Sequence, residues 1–404
     1  MVIQEIKNHF DGQETASYQI VSPPFSCGVA WLVNVLLELD IKTTNVGFGQ
    51  NHWSFENDLT LIEPDALNHL KWHLPILHRQ EKFIFEANIE VFWEHRLDFV
   101  NQGHKKTILF IRDPRDAIYS MYCRNYKEHY TFDVYLKRQD VWPDHFPGLF
   151  ELPPFETFTF FVFFWMTMSR FMPVKIIDFK NTKIIPVKTV QEILKYLEID
   201  RTTQEVEKAV EHSSFENAKR AMDEMQKATK ETFLTARKGK VDEWKQTYSE
   251  ELLLGITEVG KISFGLLDEG EAHVSHLIDT YIKADSRSII ADKLPEEVNE
   301  IVVKILDRFQ SGIDITREEV HTLYQIENMS TKVALRIAMI LEALYYVENI
   351  FEDKTSDEAR AALNTFIAMN LRFEDDYPIQ QAAVSCLRRW SISLKPFFDK
   401  AQTC

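Results

Sequence analysis

Short apolar runs alternate with amphipathic segments along the first two-thirds of the chain. This alternation predicts βα units arranged around a largely parallel sheet. The candidate strands are the apolar runs at 18–21, 83–85, 107–111 and 174–178. The candidate helices that follow three of them cover 31–39, 116–125 and 190–197. A stretch rich in proline and aromatic residues, 131–156, is expected to be a long ordered loop.

Beyond Gly270 the pattern becomes helical almost throughout, with Gly312 as the single glycine. Ser356 and Thr331 are typical helix N-caps, and Pro295 suits a first helical turn. The predicted helices cover 295–309, 317–327, 331–350, 356–369 and 379–394. The change in composition therefore predicts an α/β domain over 1–268 and an all-α C-terminal domain over 269–404.

The chain is acidic, with 46 Lys and Arg against 62 Asp and Glu and a net charge of −16. This balance disfavours a general nucleic-acid binder, so an anionic ligand has to meet a local basic site. The four cysteines form no CxxC pair, which favours reduced thiols in a cytoplasmic protein. The most apolar run, 158–168, is shorter than the roughly 20 residues that span a bilayer. With no signal-like N-terminus, we expect a soluble protein without a membrane partner.

The first segment with possible chemistry is Ser26-Cys27-Gly28-Val29-Ala30-Trp31. It follows a candidate strand and opens a helix, an arrangement that points backbone N–H groups at an anion. The GxxxxGK[ST] motif is absent, so a Walker-type phosphate site is not supported. An ordinary βα turn with a glycine for tightness is the alternative.

The second segment runs from an apolar strand into a helix through Arg112-Asp-Pro-Arg-Asp. Asp113 is placed to cap the helix, Pro114 suits its first position, and Asp116 lies in its acidic first turn. Arg112 then stands at the carboxyl end of a strand, where open α/β sheets bind ligands. Ser120, on the helix, can help to hold the same anion. The alternative is a surface arginine paired with Asp116.

Two further segments carry cations. The stretch 237–245 places three cations around Gly239 and is typical of an anion-binding loop, with a solvated basic turn as the alternative. The stretch 71–75 places His73 two residues after a lysine. This histidine can act as a general base or have a purely structural role.

The order and separation of these segments resemble the cytosolic-type sulfotransferase family that uses 3′-phosphoadenosine 5′-phosphosulfate (PAPS). The family's 5′-phosphosulfate motif is similar to 24–32, and its 3′-phosphate motif matches 112–120. Its Lys-x-His-Leu-Pro, Ser-Phe and closing-loop motifs resemble 71–75, 213–219 and 237–245. The resemblance covers about residues 15–265. It implies a P-loop-like, three-layer α/β fold with a central parallel sheet, here followed by a helical extension.

The resemblance also implies roles for individual residues. His73 would take the proton from the acceptor, and Lys71 would support charge near the transferring group. Trp31 and Phe215 would stack on adenine. PAPS would be the co-substrate, adenosine 3′,5′-bisphosphate (PAP) the product, and no metal would be needed. The positions implied to bind the nucleotide are Ser26, Cys27, Gly28, Val29, Ala30, Trp31, Arg112, Ser120, Ser213, Phe215, Arg237, Lys238 and Gly239.

The sequence departs from the family at the first loop. The family has Lys-Ser-Gly-Thr-Thr-Trp at this loop. This chain lacks the lysine and both threonine hydroxyls, because Ser26, Val29 and Ala30 stand at those three positions. One lost transition-state donor typically lowers the rate by about 10²–10³. Candidate replacements for the missing cation are Lys71, Arg115 and Lys240. Asp242 and Glu243 also add a carboxylate to the closing loop.

These observations leave three hypotheses. The leading one is a sulfotransferase that moves a sulfuryl group from PAPS to a hydroxyl or amine of a small molecule, in specialised metabolism. The second is a catalytically weakened sulfotransferase fold that binds the nucleotide and recruits a partner. The third and weakest is a phosphoryl-transfer enzyme. The helical domain would either cap the acceptor pocket or mediate homo-oligomerisation, and the aromatic run 158–168 either lines that pocket or forms core.

Overall fold

The computed structural model describes isolated positions between 276 and 347 and eleven continuous stretches. These stretches are 18–23, 25–41, 43–45, 75–78, 91–94, 106–138, 153–170, 173–229, 239–263, 285–313 and 353–373. The statements below concern these residues. No helix among them is long and apolar enough to cross a membrane.

A five-stranded parallel sheet forms the centre of the α/β part. Its strands are β1 (Tyr18–Val21), β2 (Thr43–Asn45), β3 (Val91–Glu94), β4 (Lys106–Ile111) and β5 (Val174–Asp178). They lie in the order β2-β3-β1-β4-β5, and every pairing is parallel. Because all the strands run one way, their carboxyl ends meet at one edge. The neighbours β1 and β4 lead to strands at opposite sides of the sheet, and ligands bind α/β sheets at such a switch point.

Helices make up most of the remaining described structure. Pro75–His78 and Glu243–Gln246 are 3₁₀ helices, and Tyr122–Tyr126 is a π-helical turn. The α-helices in chain order are α1 (Val29–Glu38), α2 (Pro114–Met121), α3 (Phe132–Leu136), α4 (Pro154–Met168), α5 (Phe179–Ile184), α6 (Pro186–Leu197), α7 (Thr203–His212), α8 (Phe215–Thr229), α9 (Glu250–Leu254), α10 (Glu258–Ile262), α11 (Ser286–Lys293), α12 (Glu296–Gln310) and α13 (Asp357–Phe373).

The chain divides into two compact units. The first takes residues 1–96, 103–137 and 173–255, and it contains the sheet. The second takes 97–102, 138–172 and 256–404. The domain boundary predicted at 268 rests on a change of composition and stays a prediction. The second compact unit groups α4 with the C-terminal helices.

The second unit has its own apolar core. Along α4 the described aromatic side chains are buried almost completely, and Thr257 donates a hydrogen bond of 2.5 Å to Glu156 of this helix. Helix α4 contacts both α10 and α13. Helices α11 and α13 are joined by a 2.6 Å hydrogen bond between the hydroxyl of Ser286 and the side-chain oxygen of Asn364.

The α/β class and the parallel sheet are confirmed. Three of the four predicted strands correspond to β1, β4 and β5, while the fourth, at 83–85, lies outside the described residues. Strands β2 and β3 were not predicted. In the C-terminal part, every described element is helical, although the predicted helices at 317–327 and 379–394 lie outside the described residues.

Two local expectations need correction. The predicted loop at 131–156 is wrong at both of its ends, because α3 occupies Phe132–Leu136 and α4 begins at Pro154. Aromatic packing explains α3, since Phe132 lies 4.9 Å and 5.0 Å, between ring centroids, from Tyr122 and Tyr248. Pro295 is the residue preceding α12 rather than part of its first turn. The N-cap at Ser356 is confirmed, because its hydroxyl accepts the N–H of Ala359 at 3.1 Å.

Candidate functional site

The loop between β1 and α1 is shaped by Gly28. This residue is the N-cap of α1 and has a φ of 89°, which L-residues rarely adopt. A Cβ at this position would lie 2.4 Å from the Cε2 atom of Phe179. Both the backbone conformation and the space therefore require glycine, and the aromatic ring of α5 packs directly against the loop.

Cys27 lies in the same loop and is buried, with 1% of its surface exposed. Burial raises the pKa of its thiol to about 12, although the positive charge of Arg112 opposes the shift. The thiol is therefore protonated at neutral pH, as expected for a cysteine that packs rather than reacts.

Arg112 connects the first loop to the closing loop. It directly follows β4, and only 7% of its surface is exposed. Its Nη1 atom donates to the carbonyl of Ser26 at 3.0 Å, and its Nη2 atom donates to the carbonyl of Lys240 at 2.8 Å. The guanidinium carbon also lies 4.8 Å from the centroid of the Phe179 ring. One side chain thus holds together three segments that are far apart in sequence.

Asp116 anchors the closing loop to the start of α2. Its carboxylate accepts the backbone N–H groups of Asp242 and Trp244 at 2.7 Å and 2.8 Å. Burial raises the pKa of this carboxyl group, and the nearby Arg112 and both N–H donors partly offset the shift. Asp116 therefore fixes the loop that follows Gly239.

The neighbouring residue Arg115 strengthens the same junction. Its side chain binds Asp113 at 2.6 Å, and its guanidinium carbon lies 3.6 Å from the centroid of the Trp244 ring. Its backbone carbonyl accepts a hydrogen bond of 3.0 Å from the hydroxyl of Tyr248. Asp113 also accepts the backbone N–H of Arg115, so the predicted helix cap is confirmed.

Gly239 lets the closing loop pack against Phe215, the first residue of α8. Its φ of 59° is again in the left-handed region, and a Cβ there would lie 2.9 Å from Cδ2 of Phe215. The absence of a side chain lets the backbone lie against the aromatic ring.

Asn34 of α1 links two further predicted segments. Its side-chain amide donates to the hydroxyl of Ser213 at 2.8 Å, and its side-chain oxygen accepts the N–H of Ile76 at 3.0 Å. All three residues are buried. Ile76 belongs to the 3₁₀ helix Pro75–His78, so this hydrogen-bond bridge holds the 3₁₀ helix beside α1 and the end of α7.

Comparison with protein families gives a match to part of the chain. Residues 91–265 match the family model described as Sulfotransferase domain. Over these residues the chain is similar to a sulfotransferase domain. The family match supports sulfuryl transfer as the general class of reaction. No curated protein sequence gives a significant match to the chain.

Solved structures that are similar to parts of the chain include the following two. A mouse sulfotransferase, SULT7A1 complexed with PAP, is 21% identical, with 66% of this chain and 89% of that chain covered and a TM-score of 0.41. A retinol dehydratase in a complex with retinol and PAP is 15% identical, with 63% and 82% covered and a TM-score of 0.40.

The structure brings several predicted site residues together. Ser26, Arg112 and the 239–244 loop are joined by hydrogen bonds, and Phe215 packs against Gly239. Val29 is buried at the start of α1, so only its backbone is available to a ligand. The alternative of a surface arginine paired with Asp116 does not describe Arg112, because Arg112 is buried and both side chains bind the backbone of the closing loop.

Other predicted residues are placed without such connections or lie outside the described residues. Ala30 and Trp31 are partly exposed on the first turn of α1, and Ser120 is partly exposed on α2. The predicted positions outside the described residues are Lys71, His73, Arg237 and Lys238.

Sequence reasoning missed two residues of α5 that lie at this junction. Phe179 contacts Gly28 and Arg112, and Lys183 lies one helical turn further on. Their position in the sequence could have indicated this, because α5 directly follows β5 and β5 pairs with β4, the strand that Arg112 follows. The side-chain contacts themselves depend on tertiary packing.

Proposed function

We propose that this protein is a PAPS-dependent sulfotransferase that transfers a sulfuryl group to a hydroxyl or amine of a small-molecule acceptor. The observation that carries the proposal is the position of Arg112. Its guanidinium group binds the backbone of both the Gly28 loop and the closing loop at the carboxyl edge of the sheet. Segments predicted to contact one nucleotide therefore form one connected cluster in the first unit.

The residues of this cluster fit a nucleotide that carries two separate phosphate groups. Gly28 and Gly239 let both loops adopt left-handed backbone turns, each packed against an aromatic ring. Arg112 supplies a buried positive charge between the loops, and Ser120 adds a hydroxyl on α2. In this proposal Arg112, Ser120, Arg237 and Lys238 hold the 3′-phosphate. Residues 26–31 hold the 5′ side, and Trp31 and Phe215 hold the adenine.

His73 is the proposed general base. It accepts the proton from the acceptor's hydroxyl or amine as that oxygen or nitrogen forms a bond to sulfur. Bound PAPS supplies the sulfuryl group, whose bond to the 5′-phosphate oxygen breaks with the electron pair leaving on PAP. Lys71 supports the negative charge near the transferred group. A hydrogen bond to Asn34 holds Ile76, which lies three residues after His73 in the sequence, against α1 and so supports this role.

A transfer assay tests the proposal directly. The full-length protein is incubated with ³⁵S-labelled PAPS and a panel of hydroxyl and amine acceptors, and PAP binding is measured by calorimetry. We expect label transfer, and we expect His73→Ala to lower kcat by about 10²-fold or more while PAP affinity stays unchanged. Absence of PAP binding would reject the proposal. PAP binding without transfer to any acceptor would favour the second function.

That second function is a binding protein that retains nucleotide recognition but has lost efficient catalysis. The first loop favours it, because Ser26, Val29 and Ala30 replace a cation and two hydroxyls. The matched test is Ser26→Lys, which leaves the backbone carbonyl that Arg112 binds in place. The binding-protein hypothesis expects this substitution to create or greatly increase turnover. If the unmodified protein turns over rapidly and Ser26→Lys only lowers activity, that hypothesis is wrong.

A further inference from the structure

Lys183 lies beside the proposed nucleotide site although it belongs to none of its motifs. It stands four residues after Phe179 on α5, so the two side chains share one face of the helix. Its Nζ atom lies 5.1 Å from the centroid of the Phe179 ring. The guanidinium carbon of Arg112 lies 4.8 Å from the same centroid, and the ring packs against Gly28. The ring therefore joins Lys183 to both parts of the site.

The charge of Lys183 is poorly compensated in this position. Burial lowers the pKa of its ammonium group, the positive charge of Arg112 lowers it further, and Glu216 opposes the shift. Among the described residues, Lys183 forms no ion pair and no side-chain hydrogen bond. Two neighbouring cations raise each other's electrostatic energy, and an anion bound beside them would remove that cost.

We propose that Lys183 is an additional nucleotide-binding residue, whose ammonium group interacts with the phosphate bound at the Gly28 loop. This inference rests on the proposed function. It assigns Lys183 to the 5′ side, because Phe179, on the same helix face, packs against Gly28 of that loop. The loop lacks the cation that Lys183 would supply.

The sequence suggested Lys71, Arg115 and Lys240 as replacements for the missing loop lysine. The two that the structure describes, Arg115 and Lys240, are less suitable than Lys183 for binding the phosphate. Arg115 is engaged with Asp113 and stacked on Trp244. Lys240 is exposed, and its backbone carbonyl is the group that binds Arg112. Lys183 is partly buried and faces the ring that touches the loop.

Nucleotide affinities of matched variants test the inference. Dissociation constants for PAP, adenosine 5′-monophosphate and adenosine 3′-monophosphate are measured by calorimetry on the full-length protein, Lys183→Met, Lys183→Arg and Lys188→Met. We expect Lys183→Met to bind PAP and the 5′-monophosphate about 10-fold more weakly or worse, with little change for the 3′-monophosphate. Lys183→Arg should retain most of the affinity. Lys188→Met, which removes the same charge from an exposed position on α6, should bind as the unmodified protein does.

Stability without nucleotide separates a binding role from a structural one. Removing a charge that the fold disfavours should leave the urea midpoint of Lys183→Met unchanged or higher, whereas loss of a structural contact would lower it. If the unmodified protein binds PAP and Lys183→Met binds it equally well, only this inference fails. A loss confined to the 3′-monophosphate would overturn the 5′ assignment. Failure of the unmodified protein to bind PAP would overturn the proposed function and this inference together.

Discussion

At the residue scale, the first loop depends on a glycine that no other residue can replace without cost. An alanine at Gly28 would hold an unfavourable left-handed conformation, and its Cβ would overlap the Phe179 ring. Each effect typically costs about 1–2 kcal/mol. We therefore expect Gly28→Ala to lower the unfolding free energy by roughly 2 kcal/mol or more and to weaken PAP binding, as measured by urea denaturation and calorimetry.

Gly255→Ala is the matched control for this prediction. Gly255 has a φ of −74°, and a Cβ there would meet its nearest neighbour, a backbone oxygen, at 3.4 Å. Its stability should change by less than about 0.5 kcal/mol. Equal effects at the two glycines would contradict the conformational argument.

The raised pKa of Asp116 makes the stability of the protein depend on pH. Burial raises its pKa in the folded protein above the ordinary value of 3.8, so the folded state binds this proton more tightly than the unfolded state does. Its contribution to stability is therefore most favourable at low pH and declines as pH rises through the raised pKa. We expect the unfolding free energy of the unmodified protein, relative to Asp116→Asn, to fall as pH rises above about 3.8 and then to level off.

Urea denaturation of both proteins between about pH 4 and pH 7 measures this difference. Asp113→Asn is a useful comparison, because Asp113 caps the same helix without accepting N–H groups of the closing loop. A relative stability of the unmodified protein that instead rises with pH would contradict the raised pKa.

At the element scale, Asn34 joins α1 to the end of α7 and to the 3₁₀ helix after residue 74. Replacing it with alanine would leave the buried N–H of Ile76 without its acceptor and remove the donor to Ser213. An unsatisfied buried polar group typically costs about 1–3 kcal/mol. We expect Asn34→Ala to lower stability by about that amount and to reduce kcat, because Ile76, three residues after His73 in the sequence, loses its hydrogen-bond acceptor.

Asn181→Ala provides the control at this scale. Asn181 is exposed on α5, and its backbone carbonyl, which the substitution keeps, accepts the N–H of Ile185. Urea midpoints and turnover should stay close to those of the unmodified protein. If Asn34→Ala behaves in the same way, the bridge has no role in positioning.

The sequence predicted elements whose signals are local. Strand β4 and helix α2 were predictable because Asp113, Pro114 and Asp116 mark the helix start within five residues of the strand. Strands β2 and β3 are three and four residues long and owe their structure to pairing with distant strands. The contact between Phe179 and Gly28 was unpredictable for the same reason, because it connects a helix after β5 with a loop after β1.

At the scale of the whole molecule, the domain boundary predicted from composition differs from the division into two compact units. The sulfotransferase match ends at residue 265, close to the predicted boundary, but α4 lies within the match and packs with α13 in the second unit. Phe158, Phe161 and Trp165 of α4 are fully buried, as is Phe366 of α13. Removal of the C-terminal helices would therefore uncover apolar surface on α4, within the matched residues. The predicted cytoplasmic location and self-association stay predictions.

A truncated chain of residues 1–268 tests this packing. We expect it to aggregate or to unfold without a sharp transition, because exposed aromatic core is a strong aggregation signal. In the full-length protein, Phe366→Ala should lower the unfolding free energy by about 3–5 kcal/mol, whereas Arg360→Ala, at an exposed position of α13, should have little effect. Chromatography and urea denaturation measure both. The 1–268 fragment could instead be monomeric and unfold sharply at the urea midpoint of the full-length protein. That result would contradict a core shared by α4 and α13. It would mean that residues before 269 bury the α4 side chains.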